Sequence, residues 1–154
     1  MDYRLYRSGD FDAVYAIEVA CFKPPFRFGH KCMKQLVIRA DAATWVAEES
    51  GCLQGFAIVE WARDAGGVAA YIATIEVMPG LRGNGVGGEL LRKLEGSAVG
   101  AGAKELWLHV DAENSGAIRL YQVHGYRCEG REEDFYPNGR AALVFSKPLG
   151  TGLG

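Results

Sequence analysis

The chain has 154 residues, 49% of them hydrophobic and 23% charged, with a net charge of −2 at pH 7; this is the balance of one globular domain with a real core, and it excludes a disordered chain. There is no basic excess to point to a nucleic-acid partner, and no run approaches the roughly 20 apolar residues of a membrane span. Cys21, Cys32, Cys52 and Cys128 contain no Cys-x-x-Cys pair, so they read as free thiols of a reducing compartment; with the charged start MDYRLYRSGD, they predict a cytoplasmic protein with no metal site.

Residues 2–7 alternate as a short first strand, after which Ser8 or Asp10 offers a helix N-cap. Phe11, Val14, Ile17 and Cys21 recur at helical spacing, and Pro24 and Pro25 break that helix. A second helix follows over 30–40. The stretches 43–49 and 53–63 alternate as strands around SGC, a hairpin signal, and DAGG makes the next turn. Residues 68–77, VAAYIATIEV, read as a buried strand that runs into the breaker-rich loop MPGLRGNG. From Val86 the period changes, and a helix extends to about Ala101. KELWLHVD (104–111) is a strand, then Asn114 or Ser115 caps a short helix through His124 that Gly125 ends. Residues 126–132 and 141–147 are two last strands around YPNG. The order predicts one α/β domain with about seven strands and about four helices. Its sheet is mixed and mostly antiparallel, because so many of its connections are hairpins.

The loop before the long helix fits two phosphate-binding patterns. Gly83, Gly85 and Gly88 spell the G-x-G-x-x-G of dinucleotide folds, with Asp111 as the acidic residue expected some 20 positions on. Met78 to Arg82 separate the strand from Gly83, however, and too few alternating β-α units remain for a doubly wound sheet. Arg82, Gly85 and Gly87 spell R-x-x-G-x-G instead. Gly83, Asn84, Gly85, Gly87 and Gly88 crowd the entry of an amphipathic helix and leave backbone N–H groups at the positive end of its dipole. A merely flexible connection is the third reading.

Strand, R-x-x-G-x-G loop, helix and the strand LWLHV are followed by a second motif, N-x-x-A-x-x-L-Y-x-x-x-G-Y. That motif is complete in Asn114, Ala117, Leu120, Tyr121, Gly125 and Tyr126. Together these segments resemble the GNAT superfamily of N-acetyltransferases, over a single domain of residues 1–149 with 150–154 as a short tail. The resemblance implies acetyl-CoA as cofactor, released as CoA, with its pyrophosphate on Arg82, Gly83, Asn84, Gly85, Gly87 and Gly88. It further implies that the strand holding Ile75 and Val77 splays from LWLHV, with Val77 N–H polarising the thioester carbonyl, and that Asn114, Ala117 and Tyr121 complete the cofactor site.

An acceptor amine is mostly protonated at neutral pH and needs a base. The candidates are His109, Tyr71 and, more weakly, Glu76, with bulk solvent as the alternative. RimI-type N-terminal acetyltransferases carry a glutamate at the His109 position. NatE-type sequences have LHV there, together with a tyrosine opening YIxT, and the two residues hold a water; this chain has Tyr71 and His109. Tyr121 matches the family tyrosine that donates to the departing sulfur, or else packs on the core. His124 reads as a cation near a helix C-terminus. Phe22, Pro25 and Phe26 match the α1–α2 loop beside an acceptor. Phe135 and Tyr136 match a hairpin that carries Tyr-Tyr in N-α-acetyltransferases; a plain aromatic tip is the other reading. The expected acceptor is a protein or peptide N-terminus, with a small-molecule amine or an inactive CoA sensor as alternatives. Monomer and homodimer stay open.

Overall fold

The computed structural model describes residues 1–24 and 26–150. Its elements follow the expected order: β1 (Asp2–Leu5), α1 (Phe11–Cys21), α2 (His30–Val37), β2 (Ala42–Glu49), β3 (Cys52–Asp64), β4 (Gly67–Val77), α3 (Val86–Gly100), β5 (Ala103–Asp111), α4 (Ser115–Val123), β6 (Arg127–Glu132) and β7 (Ala142–Pro148). The strands form one seven-stranded sheet in the order β1-β2-β3-β4-β5-β7-β6. Every neighbouring pair is antiparallel except β4 and β5. This is a mixed sheet, not a doubly wound one. Among the described residues no helix is long and apolar enough to cross a membrane.

Two-residue alternation sends successive side chains to opposite faces, and both faces are covered. Val46, Phe56 and Ile58 pack with Phe11, Val14 and Ile17 of α1 and with Met33 and Leu36 of α2. The intervening Ala47, Ala57 and Val59 pack with Leu90, Leu91 and Leu94 of α3. The β2–β3 turn narrows to Ser50 and Gly51, at φ 51° and 81°, the doubly left-handed geometry that matches strand twist.

Several boundaries differ from the sequence reading. β1 stops at Leu5 because Ser8–Asp10 forms a 3-10 turn, with Asp10 N–H donating to Arg7 C=O at 2.8 Å. Asp10 precedes α1 without capping it; its carboxylate instead accepts Arg4 Nη1 at 2.8 Å and Arg7 N–H at 2.8 Å. α2 ends at Val37, short of residue 40. Asn114, rather than Ser115, caps α4 by accepting Ala117 N–H at 3.1 Å.

The feature that creates a site is a seam. The β4–β5 ladder pairs Val68 with Ala103, Ala70 with Leu106 and Tyr71 with Trp107, and then stops. Beyond it β4 stays paired with β3 as far as Val77, and β5 stays paired with β7 as far as Asp111. The strands therefore part after Tyr71.

Candidate active site

On one side of the seam, a cleft of about 570 Å³ runs from Ile75 and Val77 to the glycine loop and α4. Gly83 and Gly85 stand at φ 86° and 85°, left-handed positions that suit glycine. α3 starts after Gly85 with no side-chain cap, and its first internal bond is Glu89 N–H to Gly85 C=O at 3.1 Å. Among the described residues, the N–H groups from Gly83 to Gly88 have no backbone or side-chain acceptor. Free donors at a helix N-terminus fit a pyrophosphate. Arg82, Gly83, Gly85, Gly87, Gly88, Asn114 and Ala117 line this cleft; Asn84 and Tyr121 do not. Gly87 and Gly88 serve packing as well, since a Cβ at Gly88 would lie 2.9 Å from His124 Nε2. His124 itself donates from Nδ1 to Leu120 C=O at 2.9 Å, within the last turn of α4.

The open edge of β4 supplies a second set of donors. Met78 N–H donates to Gln54 C=O of β3 at 2.9 Å, and antiparallel pairing alternates. Val77, and Ile75 two residues before it, therefore turn their N–H and C=O groups away from β3, toward the seam. Val77 C=O accepts Arg82 Nε at 3.2 Å and Cys21 Sγ at 3.4 Å. The N–H groups of Ile75 and Val77 have no strand beside them.

Across the seam lies a cavity of about 610 Å³ that shares Cys21, Phe22, Ile75 and Asn114 with the cleft. β5 buries Leu106, Leu108 and Val110 and turns Trp107 and His109 to the other face. Tyr71 Oη lies 2.9 Å from His109 Nδ1, and His109 Nε2 lies 3.2 Å from Glu132 Oε1. An ionised carboxylate only accepts, so Nε2 carries the proton of the neutral imidazole and Nδ1 accepts Tyr71 O–H. Phe135 stacks on His109 at 4.2 Å and 16°. Burial pushes the Tyr71 phenol up, opposed in part by a hydrogen bond from the His109 backbone.

Further aromatic residues close the cavity's rim. Phe26 meets Tyr136 edge-on at 4.9 Å, beneath the Arg140 guanidinium at 5.5 Å. Arg140 Nη1 reaches Asp111 Oδ2 at 2.8 Å, so Arg140 ties the α1–α2 loop to the end of β5. Burial pushes the Tyr136 phenol up to about 12. Pro25 lies outside the described residues. Tyr121 lines this cavity rather than the glycine-loop cleft, and it makes no side-chain hydrogen bond with a described residue. Burial keeps its phenol protonated well above the ordinary tyrosine range. Glu76 faces inward, accepting Thr74 Oγ1 at 2.7 Å, and burial followed by the neighbouring Glu18 raises it far above the ordinary carboxylate range.

Three participants escaped the sequence reading. Glu132 and Arg140 are charges on exposed-looking segments, and only the hairpin's return brings them to His109 and Phe26. Glu18 did carry a signal: it sits four residues after Val14 and three before Cys21, on α1's apolar stripe.

The model of the Acetyltransferase (GNAT) family matches residues 11–126. Streptothricin acetyltransferase of Streptomyces lavendulae is 38% identical over 114 residues, covering 71% of this chain and 59% of that protein. The ribosomal protein bS18-alanine N-acetyltransferase of Escherichia coli strain K12 is 31% identical over 104 residues, 66% of this chain and 68% of that protein. In the solved structures, the Escherichia coli ribosomal-protein-S18-alanine N-acetyltransferase aligns with a TM-score of 0.83 at 25% identity, covering 96% of this chain and 93% of that one. The chain thus spans less than two thirds of the streptothricin enzyme's length, while its fold matches the ribosomal enzyme nearly end to end. With the glycine loop, the seam and the tyrosine helix in place, the chain belongs to the acetyltransferase (GNAT) family.

Proposed function

We propose that the protein is an acetyl-CoA-dependent N-acetyltransferase that moves the acetyl group to a primary amine by direct attack in a ternary complex. One observation carries this reading: a cleft rich in free N–H donors and a cavity floored by Tyr71 and His109 meet at the β4–β5 seam. Acetyl-CoA supplies the activated acetyl thioester. The free N–H groups from Gly83 to Gly88 bind its pyrophosphate. Ile75 and Val77 N–H point to the seam and stabilise negative charge developing on a carbonyl oxygen there, without a reorganisation cost.

Proton removal falls to a relay. His109 has both ring nitrogens engaged, so the acceptor ammonium gives its proton to Tyr71 Oη, directly or through water, as Tyr71 passes its own to Nδ1. The imidazolium so formed is held by Glu132. The deprotonated amine would then attack the thioester carbon, the C–S bond would break, and the second amine proton would pass to the departing sulfur, giving amide and CoA thiol, with Tyr121 O–H hydrogen-bonding that sulfur as it leaves. Glu76, buried and protonated, is a poor base at neutral pH.

The preferred acceptor is a protein or peptide N-terminus. The aromatic rim of Phe22, Phe26, Phe135 and Tyr136 suits the first residue of an extended chain, and a bS18-alanine N-acetyltransferase is among the relatives. A small cationic amine is the second reading, favoured by the streptothricin acetyltransferase relative. A cytoplasmic location agrees with the free thiols. Acetyl-CoA turnover against a panel of N-terminal peptides, polyamines and aminoglycoside-like amines tests the proposal. Peptide turnover supports the first reading, turnover of small amines alone supports the second, and CoA binding without any transfer sinks both.

A further inference from the structure

Two carboxyl groups sit in the interior with no part in the chemistry above. Glu18 of α1 is 0% exposed and Glu76 of β4 is 2% exposed. Each has one oxygen satisfied: Glu18 Oε2 accepts Phe28 N–H at 2.9 Å, and Glu76 Oε2 accepts the Thr74 hydroxyl at 2.7 Å. In each the other oxygen, Oε1, is buried with no partner among the described residues. The end of α1 packs on the end of β4 here, with Cys21 Sγ donating to Val77 C=O at 3.4 Å, and Glu18 is the neighbour that, after burial, raises Glu76.

The proton count follows from these contacts. Ionised oxygens only accept, so two carboxylates would leave both Oε1 atoms orphaned and two like charges side by side in an apolar site. One proton between the Oε1 atoms satisfies both. A second proton has no place at Glu18 Oε2 or Glu76 Oε2, which already accept the Phe28 N–H and the Thr74 hydroxyl. The pair then keeps one negative charge. It is faced by the Arg82 guanidinium from the loop before α3 and, on α1, by the Cys21 thiol, which burial pushes up.

We propose that Glu18 and Glu76 share a single proton between their Oε1 atoms, and that this bond clamps the loop after α1 to the end of β4. Glu18 holds Phe28, and with it the segment whose Phe22 and Phe26 line the acceptor cavity. Glu76 stands between Ile75 and Val77, whose N–H groups open to the seam. The clamp therefore sets the distance from the acceptor's wall to the carbonyl-polarising donors. Glu18 and Glu76 are positioning residues, and only the kinetic part of this inference rests on the acetyl-transfer reading.

The test compares the wild type with Glu18→Gln and Glu18→Ala. Glutamine keeps the geometry without the acid proton: its carbonyl accepts Phe28 N–H and its amide donates to Glu76. Infrared difference spectra at neutral pH should show a protonated-carboxyl stretch in the wild type that is lost in Glu18→Gln. Amide exchange at Phe28 and at Met78, whose N–H is bonded to Gln54 C=O at the end of β4, should rise together in Glu18→Ala and stay near wild type in Glu18→Gln. With an acceptor in hand, Glu18→Ala should raise its KM by about tenfold or more with little change in CoA affinity, and Glu18→Gln should restore it. The wild type should lose activity on the alkaline side as the shared proton leaves, a limb Glu18→Gln should lack. An absent carboxyl band, or a glutamine variant exchanging as fast as the alanine one, would overturn the clamp. Should the band and exchange pattern hold while no amine is acetylated, the clamp stands and the acetyl-transfer reading falls.

Discussion

At the scale of single residues, the imidazole of His109 is boxed in. Tyr71 occupies one nitrogen, Glu132 the other, and Phe135 covers a face. The proposed relay runs through these contacts, from Tyr71 to His109 and Glu132. His109→Ala should lower kcat by about 10²-fold or more, and Tyr71→Phe by roughly 10-fold or more. The double variant should be little worse than His109→Ala alone, because removing either member breaks the same path. Losses that multiply in steady-state assays would mean two independent roles. Arg140→Ala should leave kcat largely intact and raise acceptor KM, since Arg140 holds Phe26 and Asp111 at the rim and touches no reacting atom. The imidazole and its tyrosine were singled out by the resemblance of YIAT and LHV to NatE-type sequences, whereas residue type alone left His109 one candidate base among three. Glu132 was not, because its approach depends on the β-bulge register of β6 against β7.

Among the elements, β4 is constrained on its paired edge as tightly as it is free on the other. A Cβ at Gly55 of β3 would lie 2.7 Å from Glu76 C=O. Gly55→Ala should therefore push β3 from β4 and cost about 1–3 kcal/mol in urea unfolding, with a larger loss of acetyl transfer than of CoA binding. At the opposite end of the sheet, Arg4 joins β1 to the turn before α1. Its bond to Asp10 holds that carboxyl below the ordinary aspartate range. A lowered folded-state pKa gives stability that is present above the unfolded value and lost as pH falls through the folded one. Asp10→Asn should thus cost on the order of 1 kcal/mol at pH 7, and the difference should shrink as pH falls below about 3.9 and vanish only below the lowered folded value. A penalty that persists there would place the cause in packing.

The order of the eleven helices and strands among the described residues was legible because hydrophobic period and turn chemistry are local signals. Strand ends were less so: Ser8 and Asp10 resemble caps, but Asp10 spends its carboxylate on Arg4. The parting of β4 from β5 leaves no mark on residue type, because Ile75 and Val77 look the same whether or not a neighbour takes their N–H groups. Family resemblance implied the splay, and the register gives its starting point at Tyr71 and Trp107.

Over the whole molecule, the proposed direct transfer requires both substrates to be bound together in the two cavities that meet at the seam. Initial rates should therefore give intersecting double-reciprocal lines, and mass spectrometry after incubation with acetyl-CoA alone should find no acetylated enzyme. Parallel lines with a modified chain would reverse the proposed order. Buried carboxyls also shape the pH dependence of stability. Because Glu76 is raised by burial and by Glu18, its contribution is complete below the ordinary carboxylate range and is lost as pH rises toward its folded value. Unfolding free energy should slope downward through neutral pH, and the slope should flatten in Glu18→Gln.

The short parallel ladder has a mechanical meaning as well. Strands β1 to β4 and strands β5 to β7 are each continuous antiparallel units, spliced by pairing that ends at Tyr71 and Trp107. Such a splice divides one sheet into two cooperative blocks that can breathe separately. A ligand gripping Ile75 and Val77 on one block and α4 on the other would weld them, because binding only the joined state stabilises it. Native-state hydrogen exchange should resolve two opening energies in the free protein and merge them when CoA is added.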